Sequence, residues 1–551
     1  MQARSIIICG LAAFALATPE AAQAFPPYQA HAMIASGVQS EGFMTNQLLE
    51  MVGQATNLPG SPGPVGFRWF GNGPVEAVDP LAPEPPSFQS GLAYAVSDRD
   101  DVVGWNTYTS GAACRGWSVV HSVGHALGSA KVVGVNNAGT VVGWRVDSAC
   151  NPTGVGLYSI DGAPPANLGS ALYGVNNKGV AIGVDTTDHG ATWQLGASPP
   201  VKTVIPLPPG AASVTPVAIN GSSGVVGNAF DAHDAAIGVF FYHVGNATSR
   251  MLPVPQGAQP NSLNNLGDLL YTIPSGQHIL NIPTAFDLAA TPVSLLGPGT
   301  TYTSLALHSL GDGLITGQEQ PDARALYLIR NPPRFPSGPL PEPHLGPIPT
   351  SLRIPLSIQF VEQAAAGVPI QQHFAQVSGN RGKTWQSVTL GSLSARSFTY
   401  AFTPARAYLA QVAATDDLGQ FSSWTGSPFF TPDLIDDAAA GLTYTTGWTT
   451  ASDAGAVGGT LSETSTGGAA ASFSFTGEEV EVVGRTGPGM GSATLMVDGA
   501  SQGTVDFAAA AAGERVVIAA ASGLSGGSHT VELVASGDGQ IDLDGFATVS
   551  Y

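Results

Sequence analysis

The chain has 551 residues, enough for three or four domains at ~150 residues each and for several buried cores. Its 70 glycines and 42 prolines make up about a fifth of the sequence, against an ordinary ~12%, which excludes an architecture of long helices. Charged residues are 11%, against ~25% in typical soluble domains, so charge-driven disorder is excluded, and a net charge of −20 opposes binding to phosphate backbones and anionic membranes.

Residues 1–24 read as a signal peptide, with Arg4, an apolar stretch from Ile6 to Leu16, and Ala22-Gln23-Ala24 before a cut at Phe25. The stretch is too short to span a bilayer, and no later segment offers ~20 uninterrupted apolar residues, so the mature chain is expected to be secreted, extracellular or at the cell surface, with no membrane span. In the N-terminal segment, 25–60, the run TNQLLEMVGQA (45–55) reads as a short helix.

The strongest signal is a repeat. YAVSDRDDVVG (94–104), VGVNNAGTVVG (133–143), YGVNNKGVAIG (173–183) and VAINGSSGVVG (217–227) share one pattern, with degenerate copies at 261–271 and 305–317. Their ends, from Gly104 to Gly317, are 39, 40, 44, 44 and 46 residues apart. Each copy sets an apolar run, an Asn/Asp/Ser-Gly turn and a β-branched run in series, which is hairpin chemistry with positive-φ residues at the tip. Further strand-like runs follow, such as GVGLYSI (154–160) and IGVFFYH (237–243). About 40 residues per multistranded unit fits a propeller blade. The repeats resemble the bacterial extracellular HAF repeat, which implies export and a propeller-like fold over 61–330 but no catalytic motif; the H-A-F triplet itself is mostly absent. FRWFGNGPVEAV (67–78) is expected to be the strand that closes the ring. Cys114 and Cys150 each follow a Gly-Trp pair in adjacent copies, and an oxidising compartment favours a disulfide over two free thiols.

Eight prolines between Asn331 and Pro349 predict an extended spacer. From 350 to 431, Tyr408, Val412, Ala414, Asp416, Gly419, Ser422 and Trp424 match the late strand of a fibronectin type III domain, and the stretch resembles that family, in which these positions are structural. SGNRGKTW (378–385) also resembles the Asp-box hairpin of sialidase-type propellers, with Asn380 replacing Asp. From 432 to 551, apolar alternation broken by Gly-rich turns predicts a β-sandwich, and the order of its motifs resembles the galactose-binding-like jelly rolls that include many carbohydrate-binding modules. The expected fold class is therefore all-β: a six-bladed β-propeller, an immunoglobulin/fibronectin-like β-sandwich and a jelly-roll β-sandwich.

Catalytic signatures fail on context. Ser525 centres a GxSxG at 523–527, but a strand follows it where a nucleophile elbow needs a helix. His121 and His125 form HxxxH in a stretch that does not read as a helix. The glycines from 484 to 491 lack the Lys-Ser/Thr of a phosphate loop. No spacing nominates the two carboxylates that glycoside hydrolysis uses. Ligand binding is expected in the last module, where Tyr444 and Trp448 offer an aromatic platform and Arg485 a polar group, the alternative being Trp448 as a core aromatic. The resemblance to carbohydrate-binding modules also implies a structural calcium held by Asp436 or Asp437 near the first strand and Asp542 or Asp544 in the last, the alternative being solvated or hydrogen-bonded acids. The sequence thus reads as a secreted, non-catalytic binding or adhesion protein whose partner is a polysaccharide or surface glycan. The alternatives are a secreted polysaccharide-active enzyme with its site on the propeller face, and a purely structural surface protein.

Overall fold

The computed structural model describes residues 25–551 except 33–38, 47, 59–60, 62, 71–72, 79, 82–85, 110, 112, 297–301, 308–314 and 320–323. The expected signal peptide lies outside the described residues. The fold is nearly all-β, in many small antiparallel sheets. No helix among the described residues is long and apolar enough to cross a membrane.

Among the described residues the first half forms seven four-stranded sheets in chain order, where the repeats predict six. Their first strands are Gln39–Thr45, Phe88–Val96, Ala130–Val135, Ala171–Val175, Ser213–Ile219, Gln259–Leu263 and Tyr302–Leu307. The additional sheet is the first, and it corrects two expectations. Residues 45–55 are the turn and second strand of a hairpin instead of a helix, and 67–78 supplies that sheet's third and fourth strands. The strand that completes the seventh sheet is Tyr28–Ala32, paired with Arg324–Arg330. Adjacent first strands touch in chain order, and that of the seventh sheet touches that of the first. Neighbouring sheets share apolar clusters, such as Ala95, Val103 and Val120 against Val132, Val135 and Val141.

One asparagine explains both the turn and the sheet-to-sheet joint. Asn136 Oδ1 accepts the N–H groups of Ala138 and Thr140 at 3.0 and 2.9 Å, folding the tip, while its Nδ2 donates to the Asn176 carbonyl of the next sheet at 2.8 Å. Asn176 and Asn220 do the same toward Asn220 and Asn264. Asn46 does so toward Ser97. Gly139, Gly179 and Gly267 hold φ of 67°, 72° and 82° in these tips, as the Asn-Gly chemistry predicts.

Cys114, in the third strand of the second sheet, bonds Cys150 in a loop of the third across 36 residues, as expected. Loop-closure entropy of that length is worth about 4 kcal/mol. Reduction should therefore lower the melting midpoint of the intact protein, read by circular dichroism with and without reductant; an unchanged midpoint in fully reduced protein would contradict this.

The proline-rich segment is not a free spacer. Leu340–Pro343 pairs with Ile354–Gln359, and Gly346–Pro347 pairs with Gly513–Ala521. Both are edge strands, where proline's missing N–H costs no ladder bond. Ile354–Gln359 and Ser397–Phe402 complete a three-stranded sheet that faces a four-stranded one built on Ile370–Ser378 and Leu409–Asp416. Beyond it, a seven-stranded sheet and a five-stranded sheet enclose a second core that includes Phe473, Leu495, Leu533 and Phe546. Ile541–Ser550 is buried along nearly its whole length because the seven-stranded sheet is covered twice: Leu543 and Phe546 face its own partner sheet, while Ala547 and Val549 join the core of the preceding unit.

Candidate functional site

Each first strand of sheets one to six carries a β-bulge at the same place, ten residues before the residue that ends the repeat unit. A bulge leaves one residue unpaired and re-aims its side chain. The bulged residues are Phe43, Tyr94, Val133, Tyr173, Val217 and Asn261, and all six line one cavity of about 240 Å³. The bulge also brings the first strand close to the second. A Cβ added at Gly53, Gly104, Gly143, Gly183 or Gly227 would lie 1.9 to 2.1 Å from a first-strand carbonyl oxygen, which explains the terminal glycine of the repeat.

Phe43, Tyr94 and Tyr173 are the aromatic residues among the described lining of this cavity, and each ring packs on another aromatic side chain. Phe43 stacks on Tyr94 at 6.0 Å between ring centroids, and Tyr94 meets Trp105 at 5.4 Å. Lys131 Nζ lies 5.8 Å over the Trp105 ring, and Trp144 meets Tyr173 edge-on at 6.1 Å. Tyr94 is 37% exposed. Asn261, Ser262 and Glu41 also line the cavity, an amide, a hydroxyl and the only carboxylate among the described lining residues. Aromatic rings and hydrogen-bonding groups in one cavity suit a sugar ring, whose C–H faces stack while its hydroxyls exchange hydrogen bonds. Sequence reasoning missed this site, although aligning the repeats on their terminal glycines exposes a variable, aromatic-rich column.

The residues expected to bind ligand in the last module are placed differently. Tyr444 and Trp448 do meet, at 5.3 Å, but both are half-buried against the second core, and the Tyr444 hydroxyl donates to the Asp437 carbonyl at 2.7 Å. The Trp448 indole N–H is enclosed without a partner. Arg485 is held by Asp542 at 2.5 Å, Asp453 at 3.0 Å and Glu463 at 3.2 Å. Burial opposes its charge, but the hydrogen bond and charge of Asp542 prevail and hold the guanidinium above its ordinary value. Its hydrogen-bonding capacity is thus spent inside the protein.

The expected calcium ligands divide. Asp542 belongs to the Arg485 network and accepts from Gln540 at 2.7 Å. Asp437 accepts the Thr460 and Ser462 hydroxyls at 2.7 and 2.8 Å, and Asp544 Oδ1 accepts the Val457 N–H at 2.8 Å. Only Asp436 Oδ1 and Asp544 Oδ2 are left as buried oxygens without a partner. No group of three or more His, Cys, Asp or Glu side chains among the described residues is arranged to hold a metal ion.

Burial, with the charge of Asp437 behind it, pushes Asp436 up to about 6 and Asp544 to about 7. Burial likewise lifts Glu479 and Glu481, neighbours on one strand, to about 8. All four are raised above their unfolded values, so between about pH 4 and 8 the folded protein binds more protons than the unfolded chain and loses stability as pH rises. The melting midpoint should climb from pH 8 to pH 5; a flat or falling profile over that window would contradict the assignment.

The other motifs carry no catalytic geometry. His529 places Nδ1 2.7 Å from Asp498 and Nε2 2.6 Å from the Ser525 carbonyl, not its hydroxyl. Both nitrogens face acceptors, and the hydrogen bonds to Asp498 and the Ser525 carbonyl raise the pKa of the ring, so neither nitrogen addresses the Ser525 hydroxyl as a general base would. His121 lies in a hairpin turn bonded to Asp161 at 3.0 Å, and His125 pairs with Ser118 in the following strand.

No family model matches the chain. No curated protein matches it either. Among solved structures it is similar to the CBM35 of Cellvibrio japonicus Abf62, at 20% identity over 22% of this chain and 94% of that one, TM-score 0.19. It is also similar to the extracellular domain of a one component system from B. thetaiotaomicron, at 8% identity over 71% of this chain and 57% of that one, TM-score 0.30. A third likeness is to an exo-beta-1,3-galactanase of Phanerochaete chrysosporium, at 12% identity over 83% of this chain and 95% of that one, TM-score 0.19. Likenesses at these scores decide nothing about activity.

Proposed function

We propose that this is a secreted, non-catalytic glycan-binding protein in which the seven sheets are blades of a β-propeller and the cavity at their first strands takes the sugar. The carrying observation is the common bulge, which turns one side chain from each of six sheets into a single cavity lined by aromatic rings, an amide and a hydroxyl. The fibronectin-like reading of the middle unit is supported by the Tyr408 hydroxyl, which accepts the Thr403 N–H at 3.0 Å at a strand corner, as in immunoglobulin-type sandwiches. A jelly roll is the matching proposal for the last unit. Export is supported by the Cys114–Cys150 disulfide.

A polysaccharide-active enzyme is the second reading. Hydrolysis of a glycosidic bond uses two carboxylates, and the described lining offers Glu41 alone, which favours binding over turnover. Titration calorimetry of the full chain against neutral and acidic polysaccharides separates the readings. Binding without new reducing ends, weakened about tenfold or more in a folded Phe43→Ala/Tyr94→Ala variant, is the expected result; new reducing ends, or unchanged affinity in that variant, would overturn it.

Calcium is proposed only as a ligand of Asp436 and Asp544, with backbone carbonyls and water completing a shell of six to eight oxygens. Its support is the pair of partnerless buried oxygens. At pH 8, where burial of these carboxylates costs most, added calcium should raise the melting midpoint and chelator should reverse it.

A further inference from the structure

The middle unit carries a second aromatic surface, remote in sequence from the cavity. On the outer face of its four-stranded sheet, Phe374 meets Phe421 at 5.4 Å and Phe421 meets Trp424 at 5.8 Å. Phe421 and Trp424 are 46% and 37% exposed. Ala413, opposite Phe374 in the sheet register, and Gly426, opposite Gln411, are small. A depression of about 390 Å³ beside Phe374 and Trp424 is bordered by Gln372, Gln376, Ser387 and Thr389, with His373 in its lining, and no Asp, Glu, Lys or Arg is among the described residues that line it. Gln411 Nε2 donates to Gln376 Oε1 at 2.7 Å, which orients the Gln376 amide and leaves its own N–H groups for a ligand.

The geometry points to a second glycan site here, for a single neutral polysaccharide chain. Three rings in file, flanked by amides and hydroxyls without charge, match a ligand of alternating C–H faces and hydroxyls. A protein partner would meet the same rings, but protein interfaces are enriched in Met and Arg beside their aromatics, and neither is among the described residues lining this depression. The rings are turned 48° and 62° from one another, so they suit a twisted, soluble chain and not a flat crystalline surface. This inference extends the glycan-binding reading to a separate surface, and two sites on one chain raise avidity for a long polymer.

The test uses the full chain with Phe421→Ala/Trp424→Ala, checked for an unchanged melting midpoint, and soluble neutral glucan, galactan and xylan against acidic polygalacturonate as probes. Affinity for at least one neutral polymer should fall about tenfold or more, independently of salt up to about 1 M, as for uncharged contacts, with affinity for polygalacturonate unchanged. Because Phe43→Ala/Tyr94→Ala leaves this face intact, residual binding in that variant that disappears in the combined variant would place the second site. Unchanged neutral-glycan affinity in folded Phe421→Ala/Trp424→Ala overturns the inference while leaving the cavity reading standing. So does a dimer that the substitutions convert to monomer in sedimentation, since a second copy would then cover the face.

Discussion

Replacing Arg330 with Met should destabilise the protein by about 3–5 kcal/mol, the cost of leaving one member of a buried ion pair without its partner. Arg330 ends the last strand of the seventh sheet, opposite Tyr28 of the strand that completes it. Its guanidinium pairs with buried Asp268 of the sixth sheet, donates to the Tyr28 hydroxyl at 3.0 Å, and donates to the Leu418 carbonyl of the middle unit at 2.5 Å. One side chain therefore ties the N-terminal strand, two neighbouring sheets and the next unit together. Asn264 and Asn281 also donate to Asp268, at 2.6 and 2.9 Å, but two amides do not replace a cation. Arg330→Lys keeps the charge without the planar fork and should fall between wild type and Met. Adding Asp268→Asn to Arg330→Met should recover part of the loss, since it removes the stranded charge. Urea unfolding reads all four proteins; a loss below about 1 kcal/mol in Arg330→Met would show that the pair contributes little.

Asn176→Ala should cost about 3 kcal/mol. The substitution removes the acceptor of the Lys178 and Val180 N–H groups at 3.1 and 3.0 Å. It also removes the donor to the Asn220 carbonyl and the Ser223 hydroxyl at 3.2 and 3.1 Å. The site is fully buried, so the groups left behind find no water, and each orphan costs about 1–3 kcal/mol. Asn177→Ala is the control, because the exposed Asn177 only accepts the Asn137 N–H at 2.9 Å and should lose under about 1 kcal/mol. Equal losses at the two positions would remove the special role assigned to the first asparagine.

The repeat was legible because the tip chemistry is local: Asn136-Asn137 and Gly139 announce a turn whatever surrounds them. The first sheet escaped for the same reason, since Leu49 occupies its tip at φ 63° and carries no turn signal. The pattern of apolar residues at 45–55 then imitates a helix. The edge strands around Pro341, Pro343 and Pro347 were hidden because proline excludes a central strand but tolerates an edge, and edges are set by tertiary pairing. The cavity was illegible for a further reason: its residues come from seven strands spread over more than 200 positions, and a bulge shared by six of them turns their side chains into it. In the last module the residue types were found but not their allegiance. Asp542 and Asp544 are two residues apart on one strand, yet register sets Asp542 against Arg485, while Asp544 sits at the register shift between Leu543 and Gly545 and accepts from Val457.

The most direct measurement of the glycan-binding account is a crystal structure of the full chain with the tightest-binding oligosaccharide from the calorimetric panel. The account predicts an intact sugar ring stacked on Tyr94 or Phe43, with hydroxyls reaching Asn261, Ser262 or Glu41. A sugar bound only against Tyr444 and Trp448, or a cleaved oligosaccharide in the cavity, would contradict it.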